Sequence, residues 1–292
     1  MSMPPSGQSP GFYRTRVGET VVTTLSDGDV AAGIAFLQNI RPDAARSLLD
    51  AAFIPAQPRT AINCFAIQAG GRIAIVDAGS GHWMGETAGK LPASLAAADI
   101  DPAAVDTVLL THLHPDHSYG LSTRDGAALF PNAEVVLHEA ERAFWLAPDA
   151  AARVPERAQR YVPIIAQTIA PYMDRLRPIT GGEVFPGVHL QPLTGHTPGH
   201  SGYRIEAGGE ALLIWGDITH IPDIQLPRPE VTIAFDIDPE AAIAVRRRVL
   251  DQVATDRLRV AGMHTHFPAF GHVVRDGAGY RLAPETWSAA GA

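Results

Sequence analysis

The decapeptide THLHPDHSYG, Thr111–Gly120, places three histidines and an aspartate within the six residues His112–His117. The apolar run before it, DTVLL (106–110), reads as a buried strand that ends at Thr111. Side chains alternate along an extended chain, so His112 and His114 fall on one side. Pro115 then ends the strand and bends the chain, leaving Asp116 at a helix start and His117 beside it. Four metal-capable groups thus converge from one short segment. Imidazole nitrogen and carboxylate oxygen without thiolate suit Zn, Mn, Fe or Co rather than a soft metal. Any one of these histidines alone would be read as an ordinary hydrogen-bonded side chain, but four such groups at a strand end serve no packing purpose.

Further along, PLTGHTPGHSGY (192–203), LLIWGDITH (212–220) and GMHTHFPAFGH (262–272) repeat the pattern. Each follows a strand-like apolar run and ends it with His or Asp, which is where a site between sheets collects ligands.

The rest of the chain bounds the reading. Its 292 residues, 46% hydrophobic, suffice for a large core, and the formal net charge is -8. No basic block or Lys/Arg stripe with interleaved aromatics appears, which excludes nucleic acid as the main partner. Cys64 is the sole cysteine, so no intrachain disulfide can form, and its apolar neighbours Ile62–Ile67 mark it as a buried small side chain. The N-terminus lacks a charged head followed by an apolar stretch, and no run approaches the ~18 apolar residues of a membrane span. The expectation is a cytoplasmic protein without membrane association.

Strands are expected at Thr20–Leu25, Cys64–Gln68, Ile73–Asp77, Thr107–Thr111, Glu134–His138, His189–Leu193, Tyr203–Glu206, Ala211–Trp215, Val231–Phe235 and Arg259–Met263. Helices are expected at Thr87–Ala97, Glu139–Leu146, within Arg153–Leu176, and at Pro239–Val253, with Pro163 and Pro171 breaking the third. Two strand groups separated by a helical insert near 139–176 predict two stacked sheets with helices outside. Residues 1–11 form a loose arm in this reading, and 12–292 a single domain.

Together the motifs PGFYRTRVGE (10–19), TLSDG (24–28), VDAGSG (76–81), VLLTHLHPDH (108–117), GHTPGH (195–200), WGDITH (215–220) and HTHFPAFGH (264–272) resemble the metallo-β-lactamase superfamily. The branch they resemble most is that of methyl parathion hydrolase and the N-acyl homoserine lactonases. The resemblance implies an α/β (α+β) four-layer αββα sandwich with a two-metal site where the sheets meet. It assigns His112, His114 and His196 to one ion, Asp116, His117 and His264 to the other, and Asp217 to both. Zinc is the first expectation for the two divalent ions, with Mn, Co or Fe as alternatives. Two ions ~3.5–4 Å apart share a hydroxide that attacks an ester, lactone or organophosphate bond, with Asp116 as proton shuttle. β-Lactamases of the superfamily lack an aspartate at the position of Asp217, which argues against antibiotic hydrolysis. On the same scaffold, a glyoxalase II-like thioesterase, iron-dependent sulfur or nitric oxide chemistry, and a non-catalytic metal-binding protein are the alternatives.

The remaining histidines are weighed one by one. His200 is expected to stabilise the loop rather than ligate, and the resemblance implies His264 rather than His266 as the late ligand, because the Phe267-Pro268 that follows aligns it with the family position. His220 either faces the pocket or bonds a metal-bound group. His272 belongs to the FGH turn, and His82, His138 and His189 are solvated or core-edge side chains. Two departures from the family pattern stand out: Ser118-Tyr119 where many relatives have two glycines, and Ile218-Thr219-His220 where some lactonases place a tyrosine. Tyr119 either packs at the start of the next helix or narrows the mouth. Trp83, Phe267 and Phe270, on loops near the ligands, are candidate contacts for a small-molecule substrate with an apolar acyl or aryl group, and the helical insert is a candidate lid. By analogy with relatives, a homodimer is admitted.

Overall fold

A computed structural model describes residues 8, 11–31 and 33–289. Of the expected arm, only Gln8 and Gly11 fall among them; the rest lies outside the described residues. Two seven-stranded sheets form the centre. The first has the spatial order Phe12–Val17, Thr20–Ala31, Arg59–Ala69, Arg72–Val76, Thr107–Leu109, Glu134–His138, Leu176–Ile179. In the second the order is Gly279–Pro284, Phe270–Asp276, Arg259–Ala261, Glu210–Ile214, Ser201–Ala207, Val188–Pro192, Gly182–Phe185. Antiparallel pairs dominate the second sheet, while the first divides evenly between antiparallel and parallel pairs. Arg72–Val76 through Leu176–Ile179 pair in parallel, as do Glu210–Ile214 and Arg259–Ala261.

Alternation along the strands makes the layers. Val76, Leu109 and Val136 point between the sheets and pack with Val184, Tyr203, Ile205, Leu212, Ile214 and Phe270. Their neighbours Ile75, Val108, Val135 and Leu137 face outward onto Leu95, Trp145, Ile165 and Tyr172 of the first helical layer. Across the molecule, Leu213 and Val260 meet Val249, Leu250 and Val253 of the helix Pro239–Thr255. The order is helix, sheet, sheet, helix: the expected αββα sandwich.

Several boundaries differ from the expectation, each for a local reason. The strands expected to reach Thr111 and Met263 leave the ladder at Leu109 and Ala261, because the following residues turn into the site. Val231–Phe235 contracts to Thr232–Ile233, which pairs only with Leu37–Gln38. The helix expected from Thr87 starts at Leu91: Gly89 has φ +73°, and a Cβ there would lie 1.9 Å from the Gly81 carbonyl oxygen. In the insert, Ala150–Arg153, Glu156–Gln159 and Tyr161–Ile169 are separate helices, followed by a 3-10 segment Ala170–Arg175. Pro163 does not break its helix, since it occupies the first turn, where a missing N–H is no loss. Pro171 does mark the change from α to 3-10 geometry. Short strands such as Leu176–Ile179 and Gly182–Phe185, the edge strand Phe12–Val17, and the helix Pro42–Ala51 escape periodicity because few of their residues are apolar on both sides.

Candidate metal centre

Four loops at one end of the sandwich supply the donor atoms. They leave the ends of Thr107–Leu109, Val188–Pro192, Glu210–Ile214 and Arg259–Ala261. Across the gap between sheets they are held by Ser201 N to Thr111 O at 2.9 Å, Tyr203 Oη to Leu110 O at 2.7 Å, and Asn63 Nδ2 to the carbonyls of Met263 (2.9 Å) and Thr265 (2.8 Å).

Donor atoms of His112, His114, His196 and Asp217 lie within 4.8 Å of one another, and those of Asp116, His117 and His264 do likewise. Asp217 stands at the centre. Its Oδ2 is 3.6 Å from His112 Nε2, 3.3 Å from His196 Nε2 and 3.2 Å from His264 Nε2, while Oδ1 is 3.3 Å from His117 Nε2. A third set, Asp217, His220 and His264, meets the same criterion, with His220 Nε2 3.1 Å from Asp217 Oδ2.

The far nitrogens of these histidines are tied to the protein. His117 Nδ1 bonds Asp77 Oδ2 at 2.7 Å, His196 Nδ1 bonds Asp236 Oδ1 at 2.7 Å, and His264 Nδ1 bonds Ala61 O at 2.8 Å. Such bonds fix ring orientation and leave Nε2 free to ligate. Asp77 also accepts from Thr111 N and Oγ1, and it holds φ at +58°, a costly conformation for a residue with a side chain. Glu141 joins two of the loops, accepting from Leu113 N (2.9 Å), Thr197 Oγ1 (2.7 Å) and Gly199 N (2.9 Å). The sequence reading missed Asp77, Asp236 and Glu141 as supports. A signal existed only for Asp77, inside the VDAGSG motif.

Electrostatics follow from burial against carboxylates. Burial drives His112 and His114 well below the usual imidazole value, with neighbouring histidines adding to the effect. Burial would lower His117 as well, but Asp217, Asp116 and Asp77 outweigh it and raise that imidazole well above normal. His196 is likewise pulled against its burial to about 9 by Asp217 and Asp236. Asp217 is held well below the ordinary carboxylate range, its burial overcome by His117, His264, His220 and His112.

Do these residues fit a cation? Among the described residues, buried His112 Nε2, His117 Nε2 and Asp217 Oδ1 have no hydrogen-bond partner, although both imidazole nitrogens lie 3.3–3.6 Å from an Asp217 carboxylate oxygen. Buried polar atoms are rarely left so. Hard to borderline divalent ions held by the two donor sets would satisfy these atoms.

The other named residues separate clearly. His200 is loop support: Nδ1 bonds Leu193 O and Nε2 accepts from Asp217 N, both at 2.8 Å, while burial and His196 push it down to about 3. His266 is outside the cluster, half exposed, and bonds Asp223 Oδ2 at 2.8 Å. His272 sits within the strand Phe270–Asp276 rather than in a turn. His138 caps the helix Glu139–Trp145 through Nδ1. A cavity of about 200 Å³ opens above the cluster, with His114, Asp116, Asp217, His220 and His264 at its floor. Its walls are Val30, Phe36, Met84, Tyr161, Ile233 and Phe235.

Three of the four aromatic candidates are placed elsewhere, and the fourth is set back from the cavity. Phe270 is 1% exposed and packs on Tyr13 and Phe65 between the sheets. Tyr119 is buried, its hydroxyl donating to Tyr161 O at 3.2 Å. Phe267 lines a separate surface groove with Leu48 and Leu282. Trp83 stacks beside His82 and Tyr119 at the surface rather than on the cavity wall. From the insert, Tyr161 does reach the cavity.

Residues 58–264 match the family model of the metallo-beta-lactamase superfamily. The chain belongs to the metallo-beta-lactamase superfamily. Its architecture is accordingly shared with solved members. A hydrolase of the beta lactamase superfamily called AbOPH is 34% identical and superposes with a TM-score of 0.92, covering 97% of this chain and 100% of that one. AidC, a dizinc quorum-quenching lactonase solved with a product, N-hexanoyl-L-homoserine, is 25% identical with a TM-score of 0.90, covering 96% and 99%. No curated protein sequence matches the chain. This superfamily is one of metal-dependent hydrolases, and the His/Asp cluster fits a metal site. Among the described residues, no helix is long and apolar enough to cross a membrane.

Proposed function

We propose that the chain is a binuclear metallo-hydrolase that cleaves an ester or lactone bond, or the related bond of an organophosphate, in an uncharged substrate with an apolar acyl or aryl group. The observation that carries this reading is the centring of two donor sets on Asp217 at the floor of a cavity whose other lining is mostly apolar. His112, His114 and His196 would hold one ion, Asp116, His117 and His264 the other, with Asp217 shared. Zinc is favoured by the mixed imidazole–carboxylate set and by the dizinc relative.

When bound, the ions supply an acidified water near neutral pH and polarise the substrate oxygen. The chain's own residues do the rest. Asp116, with 17% of its side chain exposed, is the acid–base group that the cavity leaves open. It takes the proton of the attacking water and returns it to the leaving oxygen as the C–O bond breaks. His220 bounds the reacting end of the cavity: its ring lines the floor, and its Nε2 stands 3.1 Å from Asp217 Oδ2. Phe36, Met84, Tyr161, Ile233 and Phe235 exclude water and hold the apolar group. No Lys or Arg lines the cavity among the described residues, so the carboxylates of glutathione would find no partner there, which argues against the thioesterase reading.

The test combines metal analysis of gently purified protein with initial rates on an aryl ester, an N-acyl homoserine lactone and a phosphotriester. About two zinc per chain and turnover of at least one are expected. One iron per chain, or no turnover after zinc loading, overturns the proposal.

A further inference from the structure

The helix Pro239–Thr255 carries a buried cation that the hydrolytic chemistry leaves unused. Arg246 is 1% exposed, and among the described residues its guanidinium is held by backbone carbonyls rather than by a carboxylate. Nε donates to Ile218 O at 2.6 Å, and Nη1 donates to Pro229 O at 3.0 Å and Val231 O at 2.8 Å. Burying a guanidinium with no carboxylate in contact is expensive; Asp236 attracts it, but from beyond ion-pair distance. A cation at this position needs a reason beyond packing.

The carbonyls supply one. Ile218 follows Asp217 directly, whereas Pro229 and Val231 precede Ile233 and Phe235 of the cavity wall. Arg246 therefore ties the floor of the cavity to its wall. Buried Gln225 makes the same connection from another side. Its Oε1 accepts from His220 N at 2.6 Å and Ile221 N at 3.1 Å, and its Nε2 donates to Val231 O at 3.1 Å. Val231 O is thus shared by both braces. Beyond the wall, Asp236 fixes Ile233 N with Oδ2 (3.1 Å) and His196 Nδ1 with Oδ1 (2.7 Å). The helix itself rests on the His196 loop at Gly195, where a Cβ would lie 2.4 Å from Ala242 N.

We propose that Arg246, together with Gln225, is a positioning residue that registers the Ile233–Phe235 wall against Asp217 and His220, and so sets the length of apolar group the site accepts. This rests on the hydrolase reading for its kinetic consequence, but the brace itself does not.

Arg246→Lys keeps the charge and loses the fork that serves both loops. In the zinc-loaded variant, KM for p-nitrophenyl octanoate should rise about tenfold, the scale of a lost pocket contact. With p-nitrophenyl acetate, too short to need the wall, kcat/KM should stay within about threefold. Gln225→Ala should show the same split, and guanidinium ion should restore octanoate turnover to Arg246→Ala. Amide hydrogen exchange should quicken in residues 218–221 and 231–237 while the sheet strands stay unchanged. Equal losses on both esters, or faster exchange throughout the molecule, would reduce Arg246 to general stabilisation and overturn the proposal. If wild-type protein cleaved no ester, the hydrolase reading would fall, and the exchange pattern would still decide the brace. Should Arg246→Ala fail to fold, Arg246→Lys and Gln225→Ala carry the decision.

Discussion

Glu141 offers the sharpest check on how the site is held. Its carboxylate is fully buried and accepts from three donors: two backbone groups, Leu113 N and Gly199 N, and the Thr197 hydroxyl. Leu113 lies between His112 and His114, whereas Thr197 and Gly199 follow His196. One side chain therefore clasps both histidine loops of the first donor set. Gly199 is part of the fit, because a Cβ there would lie 2.3 Å from Glu141 N.

Glu141→Ala leaves two backbone N–H groups buried and unpaired, at roughly 1–3 kcal/mol each, while Thr197 can rotate to another acceptor. Against this, removing the carboxylate returns part of the desolvation cost that raises its pKa. The net expectation is about 3 kcal/mol, a large share of the 5–15 kcal/mol (roughly) by which domains are stable. Glu141→Gln keeps one oxygen acceptor but sets an amide NH2 against a backbone N–H, for about 1–2 kcal/mol. Denaturant unfolding of metal-free protein measures both values, and chelator competition measures zinc. Zinc affinity should fall about 10–100-fold for the alanine variant, as for other side chains that orient ligands. A loss below about 1 kcal/mol with unchanged zinc affinity would refute the clasp.

Other outcomes follow from the same geometry. His264→Ala should lose about one zinc per chain whereas His266→Ala retains both, because only His264 reaches Asp217; elemental analysis separates them. Asp116→Asn should keep its fold by circular dichroism and lose at least ~100-fold in kcat, and near-normal kcat would remove the proton-transfer role. Tyr119→Phe, which deletes only the hydroxyl bond to Tyr161 O, should cost about 1 kcal/mol of stability and leave ester kinetics unchanged. Metal-free His117 and His196 titrate above their ordinary value, His196 at about 9, so both are protonated at pH 7 and must release protons to ligate. Zinc affinity should therefore tighten as pH rises from 6 towards 9, with proton release near pH 7 measurable in weakly buffered solution. A flat profile would contradict the raised values.

How much of this was legible beforehand divides along physical lines. Local spacing carries part of the ligand set: His112, His114, Asp116 and His117 come from one segment, and apolar strands ending in His or Asp mark the other three loops, while the choice of His196, Asp217 and His264 within them rested on the family resemblance. Supports are different. Asp77, Asp236 and Glu141 meet their histidines or loops across 40, 40 and 28 to 58 residues of sequence, and only folding brings them there. Cavity walls are harder still. Phe36 and Phe235 come together, with ring centres 5.1 Å apart, because a two-residue ribbon pairs Leu37–Gln38 with Thr232–Ile233. No periodicity announces such a ribbon, which is why Phe270, conspicuous beside a ligand, was a natural candidate although it belongs to the core. An aromatic next to a ligand in sequence says little about which way it points.

Charge balance bears on the number of ions. Asp116 and Asp217 face the donor cluster, while Asp77 and Asp236 bond the far nitrogens of His117 and His196. That places four carboxylates around one small, mostly buried volume, with no Lys or Arg in ion-pair contact with them among the described residues. Without metal, protonated histidines supply the counter-charge, which is why His117, His196 and His264 are all raised despite burial. One divalent ion would cancel half of the four negative charges and leave some of those protons in place. Two would cancel all four and let every ligating imidazole be neutral, as ligation requires. Titration with zinc should accordingly show proton release continuing past the first equivalent and ending at the second. Release that ended at one equivalent would assign the remaining histidines to hydrogen bonding and make the centre mononuclear.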